Sequence, residues 1–209
     1  VSGSSGVLDT WTGASNNSWT TAANWNPAAV PSVGDYVSFD SSSTANLSTV
    51  LNGDFSLAAL SLTTPGGPVA IGGANTLTLG SGGIGMATAT QDLTITAPLV
   101  LGASQTWNVA SNQTVAVHGG VSGSGAALSL LGGGTLALGS AATYTGDTTI
   151  SAGTVRIGTA NALPNGAGNG KVSMGGGASV LDLNGHNLAI NGLVSSYAAP
   201  AVVDNLACG

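Results

Sequence analysis

Apolar and polar residues alternate in short runs along most of the chain. Examples are Tyr36-Val37-Ser38-Phe39, Leu60-Ser61-Leu62, Thr76-Leu77-Thr78-Leu79, Leu93-Thr94-Ile95 and Thr114-Val115-Ala116-Val117. Thr135-Leu136-Ala137-Leu138, Thr154-Val155-Arg156-Ile157 and Val180-Leu181-Asp182-Leu183 follow the same rule. A period of two places the apolar side chains on one face of an extended strand. Nearly every run closes on Gly, Asn-Gly or Pro, the residues that permit turns. Helical periodicity is nearly absent, so the pattern predicts an all-β chain.

The glycines that close the runs carry the longer-range signal. Gly80, Gly102, Gly119, Gly139, Gly158, Gly175 and Gly192 stand 22, 17, 20, 19, 17 and 17 residues apart. A β-sandwich turns every ~8–12 residues and rarely repeats one strand-then-Gly phrase at a longer, near-constant step. A solenoid requires such a step, because each coil must return to the same face. One coil cannot bury its apolar side alone, so stacking supplies the core. A coil step of 17 to 22 residues is therefore predicted, with Leu, Ile and Val inward and Thr, Ser, Asn and occasional Asp outward. Both ends of such a stack leave strand edges that must be capped or paired.

The first forty residues differ from the rest. They hold three of the four tryptophans, Trp11, Trp19 and Trp25, followed by Pro31-Ser32-Val33-Gly34-Asp35. Rings of this size bury ~150–250 Å² each. Their clustering where aromatics are otherwise scarce predicts a hydrophobic cap over the first coil; an aromatic platform for sugars is the alternative. Residues 1–40 are thus read as a Trp-rich cap and first coil. Residues 41–197 are read as solenoid coils, and residues 198–209 as a tail.

Composition narrows the class. Only 5% of residues are charged while 43% are hydrophobic, the reverse of a disordered chain. All eight acidic residues are Asp, and Arg156 and Lys171 are the only basic side chains. A net charge of −6 with two cations leaves no patch to neutralise nucleic-acid phosphates. No apolar run approaches the ~18 residues of a transmembrane helix, and no charged-then-apolar leader opens the sequence. Cys208, the single cysteine, is a free thiol or an intermolecular partner.

Candidate chemistry is sparse. Gly80-Ser81-Gly82-Gly83-Ile84-Gly85 matches G-x-G-x-x-G, but Met86-Ala87-Thr88-Ala89-Thr90 follows where a dinucleotide site needs a helix. In Gly166-Ala167-Gly168-Asn169-Gly170-Lys171, Asn165 replaces the first glycine of a phosphate loop and Val172 its Mg²⁺-binding hydroxyl. His118 and His186 lack ligands at metal spacing and are expected at solvent-facing turns. Hydrolysis of a glycoside needs two positioned carboxylates. Asp35, Asp40, Asp54, Asp92, Asp147, Asp182 and Asp204 are dispersed, and alternation separates the faces of Asp35 and Asp40. Ca²⁺ bound by Asp and backbone carbonyls is a weak option, because the Gly-Gly-x-Gly-x-Asp repeat is missing. No catalytic, cofactor-binding or metal-binding residue is assigned. Thr76/Thr78, Thr88/Thr90, Thr94/Thr96 and Thr143/Thr145 form Thr-x-Thr pairs without one recurring coil position.

One long phrase resembles a known family. Gly132-Gly133-Gly134-Thr135-Leu136-Ala137-Leu138-Gly139, then Thr143-Tyr144-Thr145-Gly146-Asp147-Thr148-Thr149-Ile150-Ser151-Ala152-Gly153-Thr154-Val155-Arg156-Ile157-Gly158, is similar to the autotransporter-associated β-strand repeat of passenger proteins. Ala142 stands where the family usually has Asn. Leu99–Val109 and Val180–Gly185 resemble the coils before and after it, and the Trp-rich opening resembles the first module of large secreted proteins carrying such repeats. The resemblance implies a right-handed parallel β-helix (β-solenoid) exported to the bacterial surface or beyond. The ~10-residue membrane strands of a complete autotransporter do not follow, so a processed passenger, a fragment or another export route is expected. The functional expectation is a non-enzymatic extracellular structural protein that self-assembles end to end into a fibre or surface layer. An adhesin that binds cell-surface glycans is the alternative, and a polysaccharide-active enzyme ranks below both. Trp11, Trp19 and Trp25 are the capping candidates at one end. Val202, Val203 and Cys208 are the candidates for inter-subunit contact at the other.

Overall fold

A computed structural model describes residues 6–176, 178–195 and 201–205. The chain winds as a parallel β-solenoid of about seven turns, and the single helical element among the described residues is a 3-10 turn at Ala22–Asn24. Every alternating run named above lies in or overlaps a strand. Three parallel ladders run along the stack. The first joins the leading halves of Phe55–Leu62 and Leu77–Met86 to Leu99–Leu101 and then Val121–Ser122. The second runs from Leu8–Trp11 through Tyr36–Phe39 and the trailing halves of those two long strands. It continues to Gln105–Val109, Leu128–Leu131, Thr148–Ile150, Val172–Met174 and Leu193–Ser195. The third stacks Ser48–Val50, Val69–Gly72, Leu93–Ile95, Thr114–Val117, Thr135–Leu138, Gly153–Ile157, Ser179–Asp182 and Val202–Asp204.

The coil step is longer than glycine spacing predicts. In the second ladder Val37, Leu60, Ile84, Trp107, Leu130, Ile150 and Met174 share one inward column, at steps of 23, 24, 23, 23, 20 and 24. In the third ladder Ile71, Ile95, Val117, Leu138 and Ile157 share another, at steps of 24, 22, 21 and 19. The 17-residue intervals arose because the glycines close different faces. Gly102 follows a strand of the first ladder, whereas Gly119 follows one of the third. Turn glycines mark corners, and each coil has several corners.

Like stacks on like inside the ladders. The two inward columns above are buried throughout, at 0–2% exposure from Val37 to Met174 and from Ile71 to Ile157. Each such aliphatic side chain contributes about 1.5–3 kcal/mol by leaving water. The contribution depends on the coils above and below, so the stack is stabilised by neighbours rather than by single coils.

Candidate functional site

With a continuous core between them, the two ends of the stack differ most. At the N-terminal end all three ladders are covered. Trp25–Asn26 pairs antiparallel with Thr10 and Trp11 at the edge of the second ladder. Asn17 O accepts the Val50 N–H at 2.8 Å and Trp19 N–H donates to Val50 O at 2.9 Å, which covers the third. Gly34 N–H donates to Ser56 O and Ala58 N–H to Asp35 O, which covers the first. Pro27 and Pro31, which have no N–H to offer a further strand, follow Trp25–Asn26.

The tryptophans fill the interior beneath this cover. Trp11 and Trp19 are fully buried and Trp25 is 3% exposed. Trp25 stands edge-on to both, with centroids 5.0 Å and 5.1 Å away, and Trp19 meets Phe55 edge-on at 5.2 Å. Edge-to-face pairs of this kind contribute about 0.5–1.5 kcal/mol beyond burial. Every indole N–H is used: Trp11 donates to Ala45 O, Trp19 to Thr49 Oγ1 and Trp25 to Trp19 O. The rings are enclosed, so they present no face to a sugar.

Asn24 organises the cap and was invisible in the sequence. It is fully buried; its Oδ1 accepts the Ser15 and Asn16 N–H groups, and its Nδ2 donates to Asn16 Oδ1 and Ser18 O. All of its polar capacity serves the loop that carries Trp19.

At the C-terminal end the described residues leave inward positions exposed. Leu193 continues the inward column of Gln105, Leu128, Thr148 and Val172, and Val203 continues that of Val155 and Leu181. Their predecessors are 0–5% exposed, whereas Leu193 and Val203 are each 48% exposed. Val202 and Val194 are also exposed. Of the contact candidates, Val202 and Val203 therefore sit together on the last strand of the third ladder, and Cys208 lies outside the described residues.

The side surface carries little convergent chemistry. Asp35, Asp40, Asp54, Asp92, Asp147 and Asp182 accept backbone N–H groups. Asp54, Asp92 and Asp147 hold Thr76, Thr114 and Lys171 on the next coil, and Asp40 and Asp182 hold residues two positions on. Asp35 holds Val7 and Ser32. Gly80–Gly85 lies inside the strand Leu77–Met86, and a Cβ on Gly83, at φ +61°, would lie 2.3 Å from Thr106 O. These glycines let coils meet at a corner. The Gly166–Lys171 loop is pinned by Asn191, which bonds Gly166 N–H, Gly166 O and Asn169 O. His118 is exposed at a turn as expected, and His186 is half-buried.

An open groove of about 160 Å³ runs along Pro98, Leu99, Gly119–Ser122, Ala141 and Thr143, with no titratable side chain in its lining. Among the described residues no group of three or more His, Cys, Asp or Glu is placed to hold a metal ion. No helix among them is long and apolar enough to cross a membrane.

Residues 128–157 match the passenger-associated-transport-repeat family. In the structure this segment is two successive layers of the stack. Leu128–Leu131 lies on Thr148–Ile150, and Thr135–Leu138 lies on Gly153–Ile157. Neither the curated proteins nor the solved structures produced a significant match.

Proposed function

We propose that this chain, two successive layers of which match the passenger-associated-transport-repeat family, is a non-enzymatic structural segment of a bacterial surface passenger. It forms a rigid rod and works without a bound cofactor. The observation that carries this reading is the core itself, closed by tryptophans in the first coil and, among the described residues, exposed at Leu193 and Val203 in the last. A surface continuing the columns of a solenoid accepts another layer of strands by edge addition. That layer comes from a further coil or from a second copy.

The end-to-end fibre expected from sequence takes a more restricted form here. A head-to-tail polymer needs an acceptor at both ends, and the N-terminal edges already have partners. Self-association therefore runs through the C-terminal coil, and two copies meeting there close a dimer. Light scattering with electron microscopy of purified protein tests the reading. Dimers that dissociate on Val203→Asp support it, and a concentration-dependent ladder of longer rods refutes the one-ended form. Turnover of a polysaccharide, abolished by replacing one Asp, would overturn the non-enzymatic assignment.

One observation favours adhesion as a second reading. Thr114, Thr135 and Thr154 stack at one outward position of the third ladder, a column distinct from the Thr-x-Thr pairs of the sequence. Glycan-array binding lost on replacing these three threonines together, with the rod intact, would establish it.

A further inference from the structure

Asp9 behaves unlike the aspartates that cap backbone groups. It lies in register with Val37 and Leu60 at the head of an inward column, and it is 2% exposed. Its Oδ2 is buried with no hydrogen-bond partner. A buried carboxylate oxygen left in this state is costly.

The neighbouring group is a second carboxyl. Asp35 is 9% exposed, and its Oδ1 and Oδ2 accept the Val7 and Ser32 N–H groups, both at 2.7 Å. Asp9 pairs with Val37, and Asp35 stands two residues before Val37 on the same buried face, so its carboxyl acts directly on Asp9. Both Asp35 oxygens are already engaged as acceptors. A second anion in the same apolar site is disfavoured, and burial followed by the Asp35 charge pushes the Asp9 carboxyl up to about 6.

Protonation resolves both problems. A proton on Asp9 Oδ2 makes the orphaned oxygen a donor, Asp35 accepts it, and two adjacent charges become one. We propose that Asp9 and Asp35 share a proton that latches the first strand to the Ser32–Asp35 loop, so that the N-terminal cap is tight in acid and loosens as the medium turns neutral.

The other elements packed here bring no competing charge. Tyr36 on the adjoining strand points outward, and Phe55–Leu62 and Trp25–Asn26 contain no titratable residue. Arg156 and Lys171 belong to later coils, where Arg156 pairs with Asp182. The direction follows from linkage. The folded state holds its proton up to about pH 6, whereas an unfolded Asp loses it near 3.8. Stabilisation by the latch is therefore complete below pH 3.8 and is lost as pH rises through about 6. This inference rests on the cap alone and stands whether or not the protein dimerises.

Hydrogen exchange of the whole chain, corrected for intrinsic rates, tests it. The amides of Trp19 and Val50 report the cap, and Leu136 and Val155 report the middle of the rod. Protection of the cap relative to the middle is expected to fall by roughly 100-fold from pH 4 to pH 8. In Asp9→Asn, whose amide donates to Asp35 without titrating, the relative protection stays high and flat. A wild-type cap that ignores pH, or an Asp9→Asn cap that keeps the full fall, overturns the proposal. Carboxyl-carbon NMR of the wild type decides the matter independently of any variant. Asp9 titrating near 6 supports the shared proton, and Asp9 titrating near its ordinary 3.8 refutes it.

Discussion

Gly153 offers the most exacting check on how the coils stack. It begins the strand Gly153–Ile157 at φ +78°, inside the segment that matches the repeat family. A Cβ added there would lie 2.4 Å from Gly134 O and 2.8 Å from Gly132 O on the preceding coil. Neither backbone oxygen can move freely, since Gly134 O accepts the Thr154 N–H at 3.0 Å. Gly153→Ala therefore carries two costs. The left-handed conformation costs about 1–2 kcal/mol, and forcing apart packed coils adds about 1–3 kcal/mol. Reduced freedom of the unfolded chain returns about 0.4–1 kcal/mol, which leaves a net loss of about 1–5 kcal/mol. Gly125 is the matched control, at φ +73° with nothing within 4 Å of its Cβ position. Gly125→Ala carries only the conformational cost, and its net loss is at most about 1.6 kcal/mol. Urea denaturation followed by circular dichroism measures both, provided the denaturant slope stays unchanged. Gly153→Ala should be the more damaging by about 1–3 kcal/mol. Equal losses would refute the reasoning, because backbone conformation alone would then explain the glycine.

Three further outcomes follow from the same geometry. Trp19→Ala removes a fully buried ring with two edge contacts and should cost about 3–5 kcal/mol. Hydrogen exchange should place that loss in the cap, with the later coils protected as before. Leu136 and Val203 face inward in the same ladder at 1% and 48% exposure. Leu136→Ala should cost about 2–5 kcal/mol by urea denaturation, and Val203→Ala less than about 1 kcal/mol. Tyr144 is buried with its hydroxyl on Thr148, and burial pushes it up to about 12. The folded chain keeps that proton while the unfolded chain loses it near 10, so stability should fall as pH rises from about 10 to about 12. Tyr144→Phe should remove that slope, as followed by denaturation at a series of alkaline pH values.

The strands and the repeat were legible because both are local. Thr135-Leu136-Ala137-Leu138 alternates within four residues, and the phrase from Gly132 to Gly158 keeps its turn glycines at fixed offsets from its strands. The tryptophan cap was legible for a similar reason, since Trp11, Trp19 and Trp25 cluster in a chain poor in aromatics. Pattern failed where a glycine's place in the coil mattered. Gly102 and Gly119 look alike in sequence yet close different faces, so their interval is less than a full turn.

Sequence alone determined which segments extend, which side chains point inward and which family phrase sits at the centre of the rod. These properties depend on side-chain alternation and turn chemistry within a few residues. Tertiary structure decided the coil register, the use of Asn24 as the hub of the cap, and the meeting of Asp9 with Asp35 across 26 positions. It also decided that the first coil is closed and that, among the described residues, Leu193 and Val203 stay exposed in the last. The inward position of Asp9 follows from the parallel pairing of Leu8–Trp11 with Tyr36–Phe39, and a contact between coils is set by loop lengths that no local pattern encodes.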